Sequence, residues 1–210
     1  MAKLSSVRGR PTDPLEQQQR KDKLMDAAFE LLRSKSYRSI TIRDIARVAD
    51  SKSAMVSYYF GNKEGLFIAL LERFAARNLG SIMAALSSEE PIRAFIKTAL
   101  RVFQSAAPIL RLMTDDILES DTDLQERLVE VLPKRMATVL PVFIEAQQRQ
   151  GVLDPKLDPK LTAFSLVSLL ITPFITRPVR QYAWDIDDSL VASDAWADHL
   201  YQIFVKGAGV

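Results

Sequence analysis

The chain is 210 residues long, 48% hydrophobic and 26% charged, with no cysteine and a single histidine, His199. That composition excludes thiol chemistry and disfavours a soft or imidazole-rich metal site; with no signal peptide or membrane-length apolar run to read, a cytoplasmic protein is expected. The net charge of +2 is unevenly spread: residues 1–63 hold 13 Lys and Arg against 7 Asp and Glu, the remainder 15 against 19, so the cationic excess that suits phosphate lies at the N-terminal end.

Residues 1–20 are rich in Gly, Pro, Ser and Gln, lack an apolar stripe and read as a flexible basic arm. Within it, Arg8 and Arg10 in Arg-Gly-Arg-Pro match either a minor-groove arginine arm or a solvated tail. A first helix begins between Pro14 and Asp22 and closes near Ser36, its inner stripe being Leu24, Ala27, Ala28, Leu31 and Leu32. The next start signal is a capping box, Thr41 at the N-cap and Asp44 three residues on, with Ile40 placed to staple onto Ile45. Ile42, Ile45, Ala46 and Val48 supply the apolar side of this short helix, and Arg43 and Arg47 its polar side. A turn falls at Ala49, Asp50 and Ser51, where a short polar residue takes a left-handed conformation at modest cost. A second short helix follows through Ser53, Ala54, Met55, Val56, Ser57, Tyr58 and Tyr59, small and adaptable on its exposed side as a helix entering a DNA groove requires, with Phe60 turned inward. A longer helix opens at Asn62, where the charge of Lys63 joins the free N–H groups and positive dipole end that suit a phosphate. Its apolar side is Leu66, Phe67, Leu70, Leu71 and Phe74, it ends near Ser87, and it is the mechanical link to the rest of the chain. Two short helices, a tight turn and phosphate-gripping groups are the parts of a helix-turn-helix.

Leu24, Ala27, Ala28, Leu31, Leu32, Tyr37, Thr41, Ile45, Ala46, Ala49, Tyr58, Tyr59, Phe60, Asn62, Lys63 and Leu66, in one ungapped run, resemble the DNA-binding domain of the TetR family of transcriptional regulators. The resemblance implies an all-α fold: an N-terminal three-helix helix-turn-helix domain at residues 21–67, then a larger helical effector-binding and dimerisation domain at residues 68–210. It also implies a homodimer on a near-palindromic double-stranded operator, and repression released by a small-molecule effector. Site by site, it implies a base or phosphate contact from Arg43 and a recognition surface of Lys52, Ser53, Ala54, Met55 and Ser57. Tyr58 and Tyr59 become the aromatic pair that holds a phosphate, and Lys63 the phosphate clamp. Where the family usually has Gly, Val and then Ser or Asn, this chain has Asp50, Ser51 and Lys52. Ser51 therefore either replaces the apolar seal between the two helices with a hydroxyl, or becomes the N-cap with Lys52 turned to the phosphates.

Helical periods continue at residues 91–106, 108–120, 123–150, 159–175 and 193–206, with strand patterns absent and breaks expected at Gly151, Asp158, Arg177-Pro178 and Asp187-Asp188. Pro133 and Pro141 are expected to break or kink the 123–150 helix and so to open a cavity. Phe95, Phe103, Met113, Met136 and Phe143 are candidates to line an apolar effector pocket, although the same spacing suits plain core. The 159–175 helix is apolar almost all round, which marks either a partner surface or a central core helix. Family analogy pairs it with the last helix in a four-helix bundle between subunits, through Leu161, Phe164, Leu169, Trp196, Leu200 and Phe204. An enzyme is disfavoured and no cofactor or metal is expected: Asp115, Asp116, Glu119, Asp121 and Asp123 form the only acidic cluster, and no phosphate-cradling glycine loop occurs. The remaining alternative is a DNA-binding regulator without a small-molecule ligand, controlled by a partner protein.

Overall fold

A computed structural model describes residues 13–112, 123–131 and 133–209, which form helices, turns and one isolated antiparallel bridge between Leu153 and Gly209. Arg8, Arg10, Met113, Asp115, Asp116, Glu119 and Asp121 lie outside the described residues.

Helix α1 spans Pro14–Leu32, with Asp13 as N-cap accepting from the Leu15 amide at 2.9 Å and Pro14 at the first helical position, where its missing N–H costs nothing. Residues 14–20, expected in the flexible arm, are therefore helical, and the helix ends four residues before Ser36. The expected inner stripe, Leu24, Ala27, Ala28, Leu31 and Leu32, is buried, joined by Met25.

Helix α2 (Ile42–Val48) carries the full capping box: Asp44 N–H donates to Thr41 Oγ1 at 3.1 Å, and Thr41 N–H donates back to the Asp44 carboxylate at 3.1 Å. Ile40 and Ile45 are both fully buried in one core cluster, as a staple demands. Val48, expected on the apolar side, is instead exposed, because the helix ends there; Ile45 and Ala46 are buried and Ile42 packs half-buried against the same core. The turn closes as a Schellman motif, with Ser51 N–H donating to Ala46 O at 2.8 Å and Asp50 at φ 47°.

Helix α3 (Ser53–Phe60) ends at Gly61, whose φ of 79° is a left-handed value that a Cβ would strain. Helix α4 (Lys63–Leu86) starts on Asn62, whose side chain accepts from the Gly65 amide at 2.7 Å, and buries Leu66, Phe67, Leu70, Leu71, Ala75, Ile82 and Ala85. Beyond it come α5 (Pro91–Ser105), α6 (Ala107–Leu112), α7 (Asp123–Val131), α8 (Pro133–Arg149), α9 (Pro159–Ile175), α10 (Arg177–Trp184), α11 (Asp188–Val191) and α12 (Asp194–Ala208). Pro133 divides the expected 123–150 helix, whereas α8 runs on through Pro141. Helices stand at two of the expected breaks: α10 has Pro178 in its first turn, where proline starts a helix rather than stopping one, and α11 is capped by Asp187.

Two cores result. One joins α1 to α4 with Ala106, Ile109, Leu110 and Leu112 of the α5–α6 region and Leu128 and Val131 of α7. The other holds α5, α8, α9 and α12 around Ile96, Leu140, Ile144, Leu166, Leu200 and Phe204. The first core therefore crosses the expected 67/68 boundary, and Phe103 and Phe174 pack against both.

Candidate nucleic-acid interface

Val56, fully buried, seats α3 against α2 and α4, and this orientation leaves Ser53, Ala54 and Ser57 exposed along the opposite side. Lys52 occupies the N-cap with no side-chain capping bond and is exposed. Ser51 is thus not the N-cap, since the Schellman bond of its amide fixes it one residue before the extended cap position. Arg43 and Arg47 are exposed on α2. Arg47 pairs with Asp44 at 3.6 Å, and Lys35 reaches the same carboxylate at 3.3 Å. The hydrogen bonds from Thr41, seconded by Lys35, lower the Asp44 pKa to about 2, so the cap is anionic at any physiological pH.

Three expected DNA contacts are placed differently. Met55 is half-buried and packs against the first core, because its position on α3 adjoins Val56 on the inward side. Of the tyrosine pair, whose rings meet edge-on at 4.9 Å, Tyr58 is 53% exposed while Tyr59 packs inward with its hydroxyl buried and without a hydrogen-bond partner among the described residues. The Lys63 ammonium is turned away from open solvent: it donates to Tyr37 O at 2.9 Å and Ile40 O at 3.0 Å and lies 4.0 Å from the Tyr37 ring centroid. Here Lys63 braces the loop ahead of the capping box, and its positive charge is taken up by carbonyl dipoles and a π face.

A further tie escapes sequence reading because its partners are about 50 residues apart. Arg73 on α4 donates to Asp22 at 2.9 Å and to Asp26 at 2.6 Å on α1, and is largely shielded from solvent.

In the C-terminal helices, Phe95 and Phe143 are buried in the second core with Met136 packed against them, and the Phe103 ring lies 6.1 Å from Phe174. Phe95 and Phe143 thus serve as core side chains of α5 and α8, and Phe103 and Met136 lie half-buried against the same core. A cavity of about 280 Å³ lies instead between α5 and the α11–α12 turn, lined by Lys97, Leu100, Arg101, Gln104, Val191 and Asp194 among others. Lys97 pairs there with Asp194 at 2.9 Å, which holds the Asp194 pKa below the ordinary carboxylate range. Leu161, Phe164 and Leu169 are exposed on α9 as an interface would need, and Trp196 is half-buried. Leu200 and Phe204 are not available to a partner, because the inward side of α12 belongs to its own subunit's core; Ile203 is the exposed apolar residue of that helix. Among the described residues no three His, Cys, Asp or Glu side chains cluster as a metal site, and no single helix is long and apolar enough to cross a membrane.

The family model described as bacterial regulatory proteins, tetR family, matches residues 24–70, which run from α1 through α2 and α3 into α4. Over 184 residues the chain is 23% identical to the HTH-type transcriptional regulator BetI of Rhizobium meliloti (strain 1021), covering 85% of this chain and 88% of that protein. It is 25% identical over 137 residues to the HTH-type transcriptional repressor NicS of Pseudomonas putida, covering 63% of this chain and 65% of NicS. Among solved structures, FadR of Bacillus subtilis in complex with stearoyl-CoA superposes with a TM-score of 0.72 at 17% identity, covering 89% of this chain and 98% of that one.

Proposed function

We propose that the chain is a helix-turn-helix transcriptional regulator of the TetR family, a homodimeric repressor released from its operator by a small apolar effector. The observation that carries the DNA half of the proposal is the exposed row Ser53, Ala54 and Ser57 on α3, flanked by the exposed cations Arg43 and Lys52. Small side chains let a helix settle between groove walls and meet base edges, and the cations fix its register on the phosphates. Tyr58 adds a phosphate contact, and Arg8 and Arg10 a minor-groove grip. Lys63, Met55 and Tyr59 serve the interface from behind, by holding α3 and the capping box in place.

Two recognition helices related by a two-fold axis read half-sites about one DNA turn apart, so the operator is near-palindromic. The exposed apolar residues of α9 form the dimer surface. The effector enters the helical domain, in the cytoplasm; the stearoyl-CoA bound by FadR suggests a long-chain apolar ligand, and NicS, a named repressor, supports repression. The closed packing of Phe95 and Phe143 favours a second reading, in which no small molecule binds and a partner protein sets the DNA affinity.

Selection of bound sequences from a random DNA pool, followed by titration of the selected operator with acyl-CoA thioesters, tests both halves. A two-fold symmetric site released by an acyl-CoA is expected. An asymmetric site counts against the dimer, and release by none of the thioesters, with intact DNA binding, favours control by a partner protein.

A further inference from the structure

Helix α10 has an unusual construction. Of its eight residues only Arg180 is buried. An isolated helix of that length does not hold together in water, and this one has no apolar side chain in its own subunit's core to compensate. It is held by Arg180, whose guanidinium donates to Pro173 O at 2.9 Å, to Ile186 O and to Asp188 at 2.6 Å. Asp188 also takes Arg177, and these two guanidiniums, Arg177 foremost, lower its pKa. The network fixes α10 at 74° to α9 and leaves its apolar residues outside: Val179 is 59% exposed, Trp184 73% and Tyr182 88%.

Two of the three, Val179 and Tyr182, continue a pattern begun on α9. Leu161, Phe164, Ser168, Ile175, Val179 and Tyr182 recur largely at helical spacing across the bend, and the two cations within the stretch, Arg177 and Arg180, are both tied to Asp188. At roughly 200 Å² for each large side chain, the exposed fractions of Leu161, Phe164, Leu169 and Ile175 amount to on the order of 400 Å², and those of Val179, Tyr182 and Trp184 to about as much again. A stable homodimer interface takes about 800 Å² from each partner, about two thirds of it apolar, so α9 alone falls short of the apolar share and α9 with α10 covers it. These side chains carry no charge, and an apolar surface of that kind is matched by a copy of itself across a two-fold axis.

Resting on the homodimer proposed above, we infer that α10 is the outer half of the subunit interface: the second copy of this chain seats against Val179, Tyr182 and Trp184 as well as against α9. The buried Arg180 tie pre-orders this apolar corner before the subunits meet, so little conformational freedom is lost on docking.

Sedimentation equilibrium on the full chain separates this inference from the reading it rests on. The wild type is expected to be a dimer, with Phe164→Glu on α9 and Tyr182→Glu or Val179→Glu on α10 each weakening self-association at least tenfold. The α10 positions are solvent-facing in the monomer, so these variants keep the helical circular dichroism of the wild type. In a Trp196→Phe background, Trp184 fluorescence is expected to shift to the red on dilution through the dimer dissociation. A dimeric wild type that Phe164→Glu dissociates and the α10 variants leave intact would overturn the α10 seat alone, as would Trp184 emission unchanged by dilution. A wild type that stays monomeric at all concentrations would overturn the homodimer and this seat with it.

Discussion

Lys63 grips the Tyr37 residue twice, donating to its carbonyl at 2.9 Å and resting 4.0 Å from its ring centroid. Tyr37 in turn meets Phe67 edge-on at 4.9 Å, so one lysine connects the start of α4, the loop before α2 and the first core. Charge-assisted bonds to part-buried carbonyls are stronger than neutral ones, and without Lys63 the Tyr37 carbonyl keeps only the Ile40 amide at 3.2 Å. Lys63→Met is therefore expected to destabilise the fold by about 1–3 kcal/mol. Thermal unfolding checks this. The same variant is expected to leave the salt dependence of operator binding unchanged; a slope lowered by about one would show that Lys63 does neutralise a phosphate.

Lys52 and Arg43 carry the opposite expectation. Both are exposed beside α3, and replacing either by Ala is expected to weaken operator binding and reduce the slope of log K against log salt by about 0.9. Melting temperatures should stay at the wild-type value. Fluorescence anisotropy across a salt series measures both slopes, and an undiminished slope for both variants would remove these cations from the interface.

Asp44 ties the recognition unit to pH. Its folded-state pKa of about 2 lies below the ordinary carboxylate value of 3.8, so the cap's contribution to stability is present above that ordinary value and is lost as pH falls toward 2. Melting curves between pH 5 and pH 2 should fall more steeply for the wild type than for Asp44→Asn, whose cap does not titrate. Parallel curves would mean that the capping box does not contribute to the acid transition.

Arg73 and Asp22 form a cross-helix pair at 2.9 Å with Asp26 as a second acceptor. A double-mutant cycle of Arg73→Met and Asp22→Asn is expected to give a coupling free energy of about 1 kcal/mol, modest because Asp22 is partly solvated. Denaturant unfolding of the four proteins supplies it. A coupling indistinguishable from zero would make the pair incidental to the α1–α4 junction.

What could be read from the sequence was what short-range chemistry decides. The Thr41–Asp44 box lies within four residues, the left-handed Asp50 needs only a short polar side chain, and Asn62 caps the helix that follows it. Side-chain direction at longer range was not legible. Lys63 finds its carbonyls 23 and 26 residues upstream. Family analogy puts Leu200 and Phe204 at the interface, yet only packing with α5 and α9 decides that they turn inward. Helix α10 was missed because Arg177-Pro178 signals a stop as well as a start, and the choice depends on Arg180 and Asp188 closing the network that holds it.

Helix α4 has 24 residues, and at 1.5 Å of rise each it is about 36 Å long. Arg73 sits near its middle, where the clamp on α1 makes a fulcrum. A pivot of only about 10° there would swing each end by roughly 3 Å, close to the 3.4 Å spacing of stacked base pairs. For a rod pinned at its centre the two arms are equal, so a shift of about 3 Å where α4 meets the C-terminal helices would return as a shift of about 3 Å at the end that carries the helix-turn-helix.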